Sequence, residues 1–170
     1  MTNGDQNSSG RDCAKSTSAF QLESFIPYRI VALGRSMGLV LSSEYEDEFG
    51  LSMPEWRTLA IIGQYEEVTA TQVVAETPMD KVAVSRASAR LVEKGLVERN
   101  QREEDRRSVL MRLTDDGRQI FDEIARRVLA TERLMLSRLT TEEQDVLHQL
   151  LSKVSMVVDT LDAGDGHESP

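Results

Sequence analysis

Between Thr69 and Thr114, TATQVVAETPMDKVAVSRASARLVEKGLVERNQREEDRRSVLMRLT, the spacing of apolar residues switches from helical to alternating and back to helical. No long uninterrupted helix and no simple sheet can satisfy both periods, so this stretch reads as two short helices, a turn and a β-hairpin with a charged tip. Thr69 and Gln72 form a capping box that opens a short helix carrying Val73, Val74 and Ala75. Thr77-Pro78 breaks it, because the residue before a proline disfavours helical geometry. A second helix is expected from about Asp80 to Lys94, closed by Gly95. Leu96 to Arg102 and Ser108 to Leu113 are β-prone arms flanking Glu103-Glu104-Asp105-Arg106-Arg107.

On a helical wheel the Asp80 to Lys94 segment divides into two sides. Val84, Ala87, Ser88 and Leu91 are small or apolar, as close packing on a preceding helix requires. Lys81, Val82, Ser85, Arg86 and Ala89 lead the other side, with cationic forks, a hydroxyl and methyl-bearing surface near the N-terminal end. That is the part of a recognition helix that meets base edges in the major groove, which assigns Lys81, Val82, Ser85 and Arg86 to base contacts. Arg90 lies further round and is assigned to the DNA backbone.

Charge supports a nucleic-acid partner once its distribution is considered. The formal net charge is −9. From Lys81 to Arg112, however, nine basic residues stand against five acidic ones, a local +4 that leaves −13 for the remainder. Phosphates respond to the field within a Debye length of roughly 8 to 10 Å, so a basic face on an acidic body is still a DNA footprint.

The flanks read as helix. Pro27 suits a first turn, and Ile30, Leu33, Met37, Val40, Leu41 and Tyr45 recur at three- and four-residue steps up to about Phe49, with Gly50 as the C-terminal cap. Ser52 and Glu55 make a capping box for a helix carrying Trp56, Leu59, Ala60 and Ile62 that stops near Gly63. Thr114-Asp115-Asp116 starts a helix expected to reach about Arg138, and Thr140 with Glu143 caps a last one running to about Leu161. The fold class is therefore mainly α with a small β-hairpin wing. A winged helix-turn-helix lobe at about 52–114 is set between terminal helices at about 27–49 and 115–161. The polar ends, 1–20 and 162–170, cannot bury enough surface to order themselves.

Several function classes are disfavoured. The single cysteine, Cys13, excludes a disulfide framework, and His148 and His167 are far apart, so neither a metal site nor a cofactor is expected. No Gly-rich phosphate loop or nucleophile elbow supports an enzyme. The first helix is interrupted by Arg29 and Arg35, and the N-terminus lacks a signal-peptide core, so a cytoplasmic protein with no membrane partner is expected.

The sequence resembles the MarR family of bacterial transcriptional regulators. The resemblance rests on Val84-Ser85-Arg86, on Leu91-Val92-Glu93-Lys94-Gly95-Leu96-Val97-Glu98-Arg99, on Asp105-Arg106-Arg107 and on Leu113-Thr114-Asp115-Asp116-Gly117, with Leu139-Thr140-Thr141-Glu142-Glu143 at the last helix. It implies a homodimer with interleaved terminal helices whose two winged lobes grip pseudo-palindromic double-stranded DNA. It also implies a wing, with Asp105, Arg106 and Arg107, that enters the minor groove, Asp105 pairing with Arg107. Wide apolar faces on two long helices independently call for a partner chain. Many members of the family release DNA on binding an aromatic or carboxylated small molecule, for which Tyr28, Arg29, Tyr45 and Trp56 are the candidate effector pocket. The runs Phe25 to Arg29 and Met79 to Arg86 look like a branch tied to aromatic-acid catabolism. A repressor released by such an effector is the leading reading. The alternative, favoured by the net negative charge, is a winged-helix protein-interaction module without specific DNA binding.

Overall fold

Capping boxes and glycines delimit the elements in the computed structural model, which describes residues 20–101 and 109–164. By packing, the chain divides into two compact units, Met1–Gly38 and Leu39–Pro170. In the first, a short 3-10 turn at Leu22–Ser24 precedes helix α1, Ile26–Ser42, which continues into the second unit. Helix α1 has no buried residue, and Tyr28, Ile30, Val31 and Leu33 are all exposed.

The helix expected to run to Phe49 ends at Ser42. The Ser42 and Ser43 hydroxyls donate to the carbonyls of Leu39 and Val40 at 3.0 and 2.7 Å, the local bonding by which serine competes with regular helix. Glu44 and Tyr45 then close tighter bonds to Leu41 and Ser42, both 3.1 Å. The turning chain carries Tyr45 into the core, where it is 1% exposed. Gly50, at φ +59, closes this turn and not the helix end expected there, its N–H donating to Glu46 at 3.0 Å.

Helix α2, Met53–Gln64, is opened by the Ser52–Glu55 box. Strand β1, Val68–Thr69, leads directly into α3, Ala70–Ala75, through the Thr69–Gln72 box. Helix α4, Lys81–Glu93, begins at Asp80, whose carboxylate accepts from the Ala83 N–H at 2.7 Å, and gives way to Gly95 at φ +73. Strands β2, Val97–Gln101, and β3, Val109–Leu113, pair antiparallel with Val97 opposite Leu113 and Arg99 opposite Met111. Strand β1, which was not anticipated, adds to the other edge of β3 with Val68 opposite Met111, giving the order β1-β3-β2. Leu110 and Met111 are both buried, so β3 does not show the simple in–out alternation its sequence suggested.

Helix α5, Asp115–Met135, and helix α6, Thr141–Gly164, complete the chain. The turn at 136–139 cuts α5 three residues short of the expected Arg138, and α6 continues past Leu161. The core gathers Leu51, Leu59, Ile62, Val73, Val84, Leu91, Leu96, Val97, Met111 and Ile124 under the sheet and α5. Arg127 of α5 locks the 43–49 turn in place. Its guanidinium is ion-paired with Glu48 and with Glu123 and lies 5.1 Å from the Phe49 ring, while Thr131 donates to Glu44 at 2.6 Å. Among the described residues no helix is long and apolar enough to cross a membrane.

The junction of wing and α5 is tight. The Thr114 N–H donates to the Leu96 carbonyl at 3.1 Å, its hydroxyl donates to Gly95 at 2.7 Å, and that same hydroxyl accepts from Gly117 N–H at 3.0 Å. Gly117 is buried against this carbonyl, and an added Cβ would overlap the Leu96 oxygen and stand 2.9 Å from its carbonyl carbon. The obstacle is backbone and cannot swing aside. Gly117→Ala is therefore expected to destabilise the fold by about 3 kcal/mol, the upper range for overpacking, read as a lowered urea midpoint at unchanged m-value. A midpoint equal to that of the natural protein would show that the junction yields.

Candidate nucleic-acid interface

The site is built on α4. Its inner side, Val84, Ala87, Ser88 and Leu91, is buried, and the Ser88 hydroxyl is satisfied by donating to the Val84 carbonyl at 2.8 Å. With that side committed to the core, helical geometry turns Lys81, Val82, Ser85 and Arg86 outward, and all four are exposed. Val82 is 57% exposed, an aliphatic surface that the core leaves uncovered. Among the described residues Lys81, Arg86 and Arg90 have no ion-pair or hydrogen-bond partner, so three cations stand free for an external anion. On the wing, by contrast, Arg112 is neutralised by Glu98 at 2.5 Å across the strands.

Arg86 and Arg90, one helical turn apart, also line a shallow cleft of about 230 Å³ with Ala83 and Ala87 of α4 and Ser52, Pro54 and Glu55 at the start of α2. Periodicity alone separated these two arginines into base and backbone contacts; the structure brings them to one cleft. Asp105, Arg106 and Arg107, assigned to the wing tip, lie outside the described residues, as does Cys13.

Of the candidate effector residues, Tyr28 and Arg29 lie in the first unit and Tyr45 and Trp56 in the second. Tyr45 is a core residue, stacked on Trp56 with ring centroids 5.9 Å apart, and Trp56 in turn stacks on Phe121 at 6.1 Å. Tyr45 thus packs in the core cluster. Burial raises its phenol pKa further, with Glu46 adding to the effect. Tyr28 and Arg29 are exposed on the first unit. Among the described residues no cluster of three or more His, Cys, Asp or Glu could hold a metal.

Sequence reasoning saw Glu55 only as a cap and Lys94 only as part of the basic strip. Glu55 is 2% exposed. One of its carboxylate oxygens accepts from the Ser52 N–H at 2.7 Å and hydroxyl at 2.6 Å, and the other faces the Lys94 ammonium at 2.9 Å. Lys94 Nζ also donates to the Gly50 carbonyl at 2.7 Å. The spacing of a capping box reveals the first pair of bonds, but nothing local reveals the second.

The family model described as the MarR family matches residues 49–108, the stretch from the end of the 43–49 turn through α4 and into the wing. Over that stretch the chain is similar to the MarR family. A relative in Bacillus subtilis (strain 168), the uncharacterized HTH-type transcriptional regulator YdgJ, is 25% identical over 141 residues, covering 83% of this chain and 84% of the relative. The crystal structure of a MarR/EmrR family transcriptional regulator from Acinetobacter sp. ADP1 superposes with a TM-score of 0.76 at 27% identity, over 83% of this chain and 99% of the other. A mutant MarR from E. coli, solved in complex with operator DNA, gives 0.69 at 27% identity, over 81% and 99%. The lobe is thus a winged helix-turn-helix of MarR type, with α3 and α4 as the helix pair and β2–β3 as the wing. The family consists of transcriptional regulators.

Burial by itself raises the Glu55 pKa, but the Ser52 and Lys94 bonds outweigh it and hold the carboxyl below its usual value of 4.5. A lowered folded pKa gives stability that is fully present above the unfolded value and is lost as the pH falls through the folded one. The stability contributed by Glu55 is therefore expected to be constant through neutral pH and to decline only below about 4.5. Urea titrations of the natural protein and Glu55→Gln should converge as the medium is acidified; parallel curves would sink this assignment.

Proposed function

We propose that this protein is a MarR-family homodimeric repressor that reads a pseudo-palindromic operator and is released by a small aromatic or carboxylated effector. The observation that carries the DNA part is the α4 strip: free cations and an exposed valine on a helix whose opposite side is buried. Lys81, Ser85 and Arg86 donate to base edges, an arginine fork on guanine being worth roughly 1 to 3 kcal/mol of discrimination, and Val82 lies against a thymine methyl. Arg90 meets the backbone. Asp105, Arg106 and Arg107 serve the minor groove on the strength of their sequence pattern. The E. coli MarR structure with operator DNA, at 27% identity, supports the same mode of docking.

Exposed apolar surface supports the dimer. In the second unit Leu129 and Leu134 of α5, and Val146, Leu150, Leu151, Val154, Val157, Val158 and Leu161 of α6, are each about half exposed or more. In the first unit Val31 and Leu33 of α1 are likewise uncovered. Patches of this extent mark an interface, and a two-fold pairing covers them without leaving an open end. The effector part rests on the family resemblance together with exposed Tyr28 and Arg29, an aromatic surface and a cation that suit an aromatic acid.

Fluorescence anisotropy with the DNA upstream of the chain's own gene, against a scrambled duplex, tests the reading. Arg86→Ala should cost roughly 1 to 3 kcal/mol on the upstream fragment and far less on the scrambled one. Arg90→Ala should weaken both alike and make the slope of affinity against salt shallower by about one. Equal, uniformly weak binding to every fragment would instead favour a protein-interaction module.

Dimerisation and effector binding have a common readout in thermal unfolding. Melting temperature should rise with protein concentration, as for any obligate oligomer. Benzoate and related aromatic acids should raise it further, by about 2.7 kcal/mol of stabilisation at a hundred times the dissociation constant. A melting temperature indifferent to protein concentration excludes the dimer, and one indifferent to aromatic acids excludes that effector class.

A further inference from the structure

The carboxylate of Glu55 joins two parts of the lobe that sequence holds far apart. It takes two hydrogen bonds from Ser52 at the start of α2, at 2.7 and 2.6 Å, and an ion pair from Lys94 at the end of α4, at 2.9 Å. Lys94 extends the link to the Gly50 carbonyl at 2.7 Å. The Glu55 side chain is 3% exposed and that of Lys94 35%, so the contact is largely shielded from water. The two residues at positive φ among those described, Gly50 at +59 and Gly95 at +73, both sit at this link. Gly50 presents the accepting carbonyl, and Gly95 turns the chain away immediately after Lys94. Backbone conformations that favour glycine thus frame the contact on both sides.

Deeper between the two helices, Val84 and Leu91 of α4 share the apolar core cluster with Leu59 and Ile62 of α2. Such surfaces hold helices together but are non-directional. Charge-assisted hydrogen bonds are directional and short. With 13 residues, α4 is about 20 Å long, and a tilt of about 10° about its C-terminal end displaces Lys81 at the other end by about 3 Å. A base-edge hydrogen bond does not survive a displacement of that size.

We infer that Glu55 and Lys94 form a positioning clasp that fixes the angle at which α4 meets DNA, so that Lys94 serves operator recognition without touching DNA. The inference rests on the DNA-binding reading above and gives Lys94 a role different from that of the free cations Lys81, Arg86 and Arg90. The Ser52 hydrogen bonds and the Lys94 ion pair hold the Glu55 carboxyl below its usual range despite its burial, so the clasp is charged at neutral pH.

Anisotropy titrations of the full chain on its upstream DNA fragment and on a scrambled duplex, across a salt series, test the clasp. The variants are Lys94→Met, Lys94→Arg and the double variant Glu55→Gln/Lys94→Met, which leaves no buried charge unpaired and so keeps the fold accessible. Lys94→Met and the double variant should bind the upstream fragment about tenfold more weakly, the loss of roughly one base contact, with the salt slope of the natural protein unchanged. Lys94→Arg should restore binding, because a guanidinium can still reach the carboxylate. A slope shallower by about one at unchanged melting temperature would make Lys94 a phosphate contact and overturn the clasp. So would a folded double variant with natural affinity and preference. Failure of the natural protein to prefer its upstream fragment would overturn the DNA-binding reading itself, an outcome distinct from either.

Discussion

Burial of the small face of α4 is the interaction on which the rest of the molecule depends. Val84, Ala87, Ser88 and Leu91 occupy the core with Leu59 and Ile62 of α2 and Val73 of α3. Close packing of this kind leaves the helix one rotational setting, because rotating it would bury lysine or arginine without a partner. Two consequences follow. Lys81, Val82, Ser85 and Arg86 are turned outward together, and the C-terminal end of the helix delivers Gly95 and Leu96 to the place where the wing begins. The Leu96 carbonyl then receives Thr114 and crowds Gly117, so the orientation of α4 passes through the wing to the first turn of α5.

Charge is distributed in keeping with that geometry. Acidic residues outside the lobe are used in structure: Glu48 and Glu123 hold Arg127, Glu44 holds Thr131, and Asp115 and Asp116 sit at the positive end of the α5 dipole. Among the described residues Lys81, Arg86 and Arg90 on α4 have no partner. A net charge of −9 therefore describes the body of the protein and not its proposed DNA-reading surface, since screening limits the reach of the distant carboxylates. In the proposed reading the uncovered apolar residues of α5 and α6 serve assembly, and the strip on α4 serves DNA recognition.

Much of this was legible in the residues. Ser52–Glu55, Thr69–Gln72 and Thr114 with its acidic first turn placed three helix starts, because capping is a local matter of side-chain reach. The inner and outer sides of α4 followed from helical spacing. The end of α1 did not, because Ser42 and Ser43 bond back to their own turn and the chain bends to bury Tyr45, an outcome that apolar periodicity read as continued helix. Strand β1 escaped notice because two residues have no period of their own; Val68–Thr69 becomes a strand only by pairing with β3. The stacking of Tyr45 on Trp56 and of Trp56 on Phe121 was not legible, since it joins residues from three separate segments.

By itself the sequence determined the order of the six helices and the hairpin, the winged helix-turn-helix lobe and the identity of the outward strip on α4, because caps, breakers and helical period act over a few neighbouring residues. Only the tertiary structure decided that Arg86 and Arg90 share a cleft with the start of α2, that Tyr45 is core, and that Lys94 turns back to Glu55 and Gly50. Each of these depends on which distant segments meet, and a buried carboxylate is matched with its counter-ion by the fold and not by spacing along the chain.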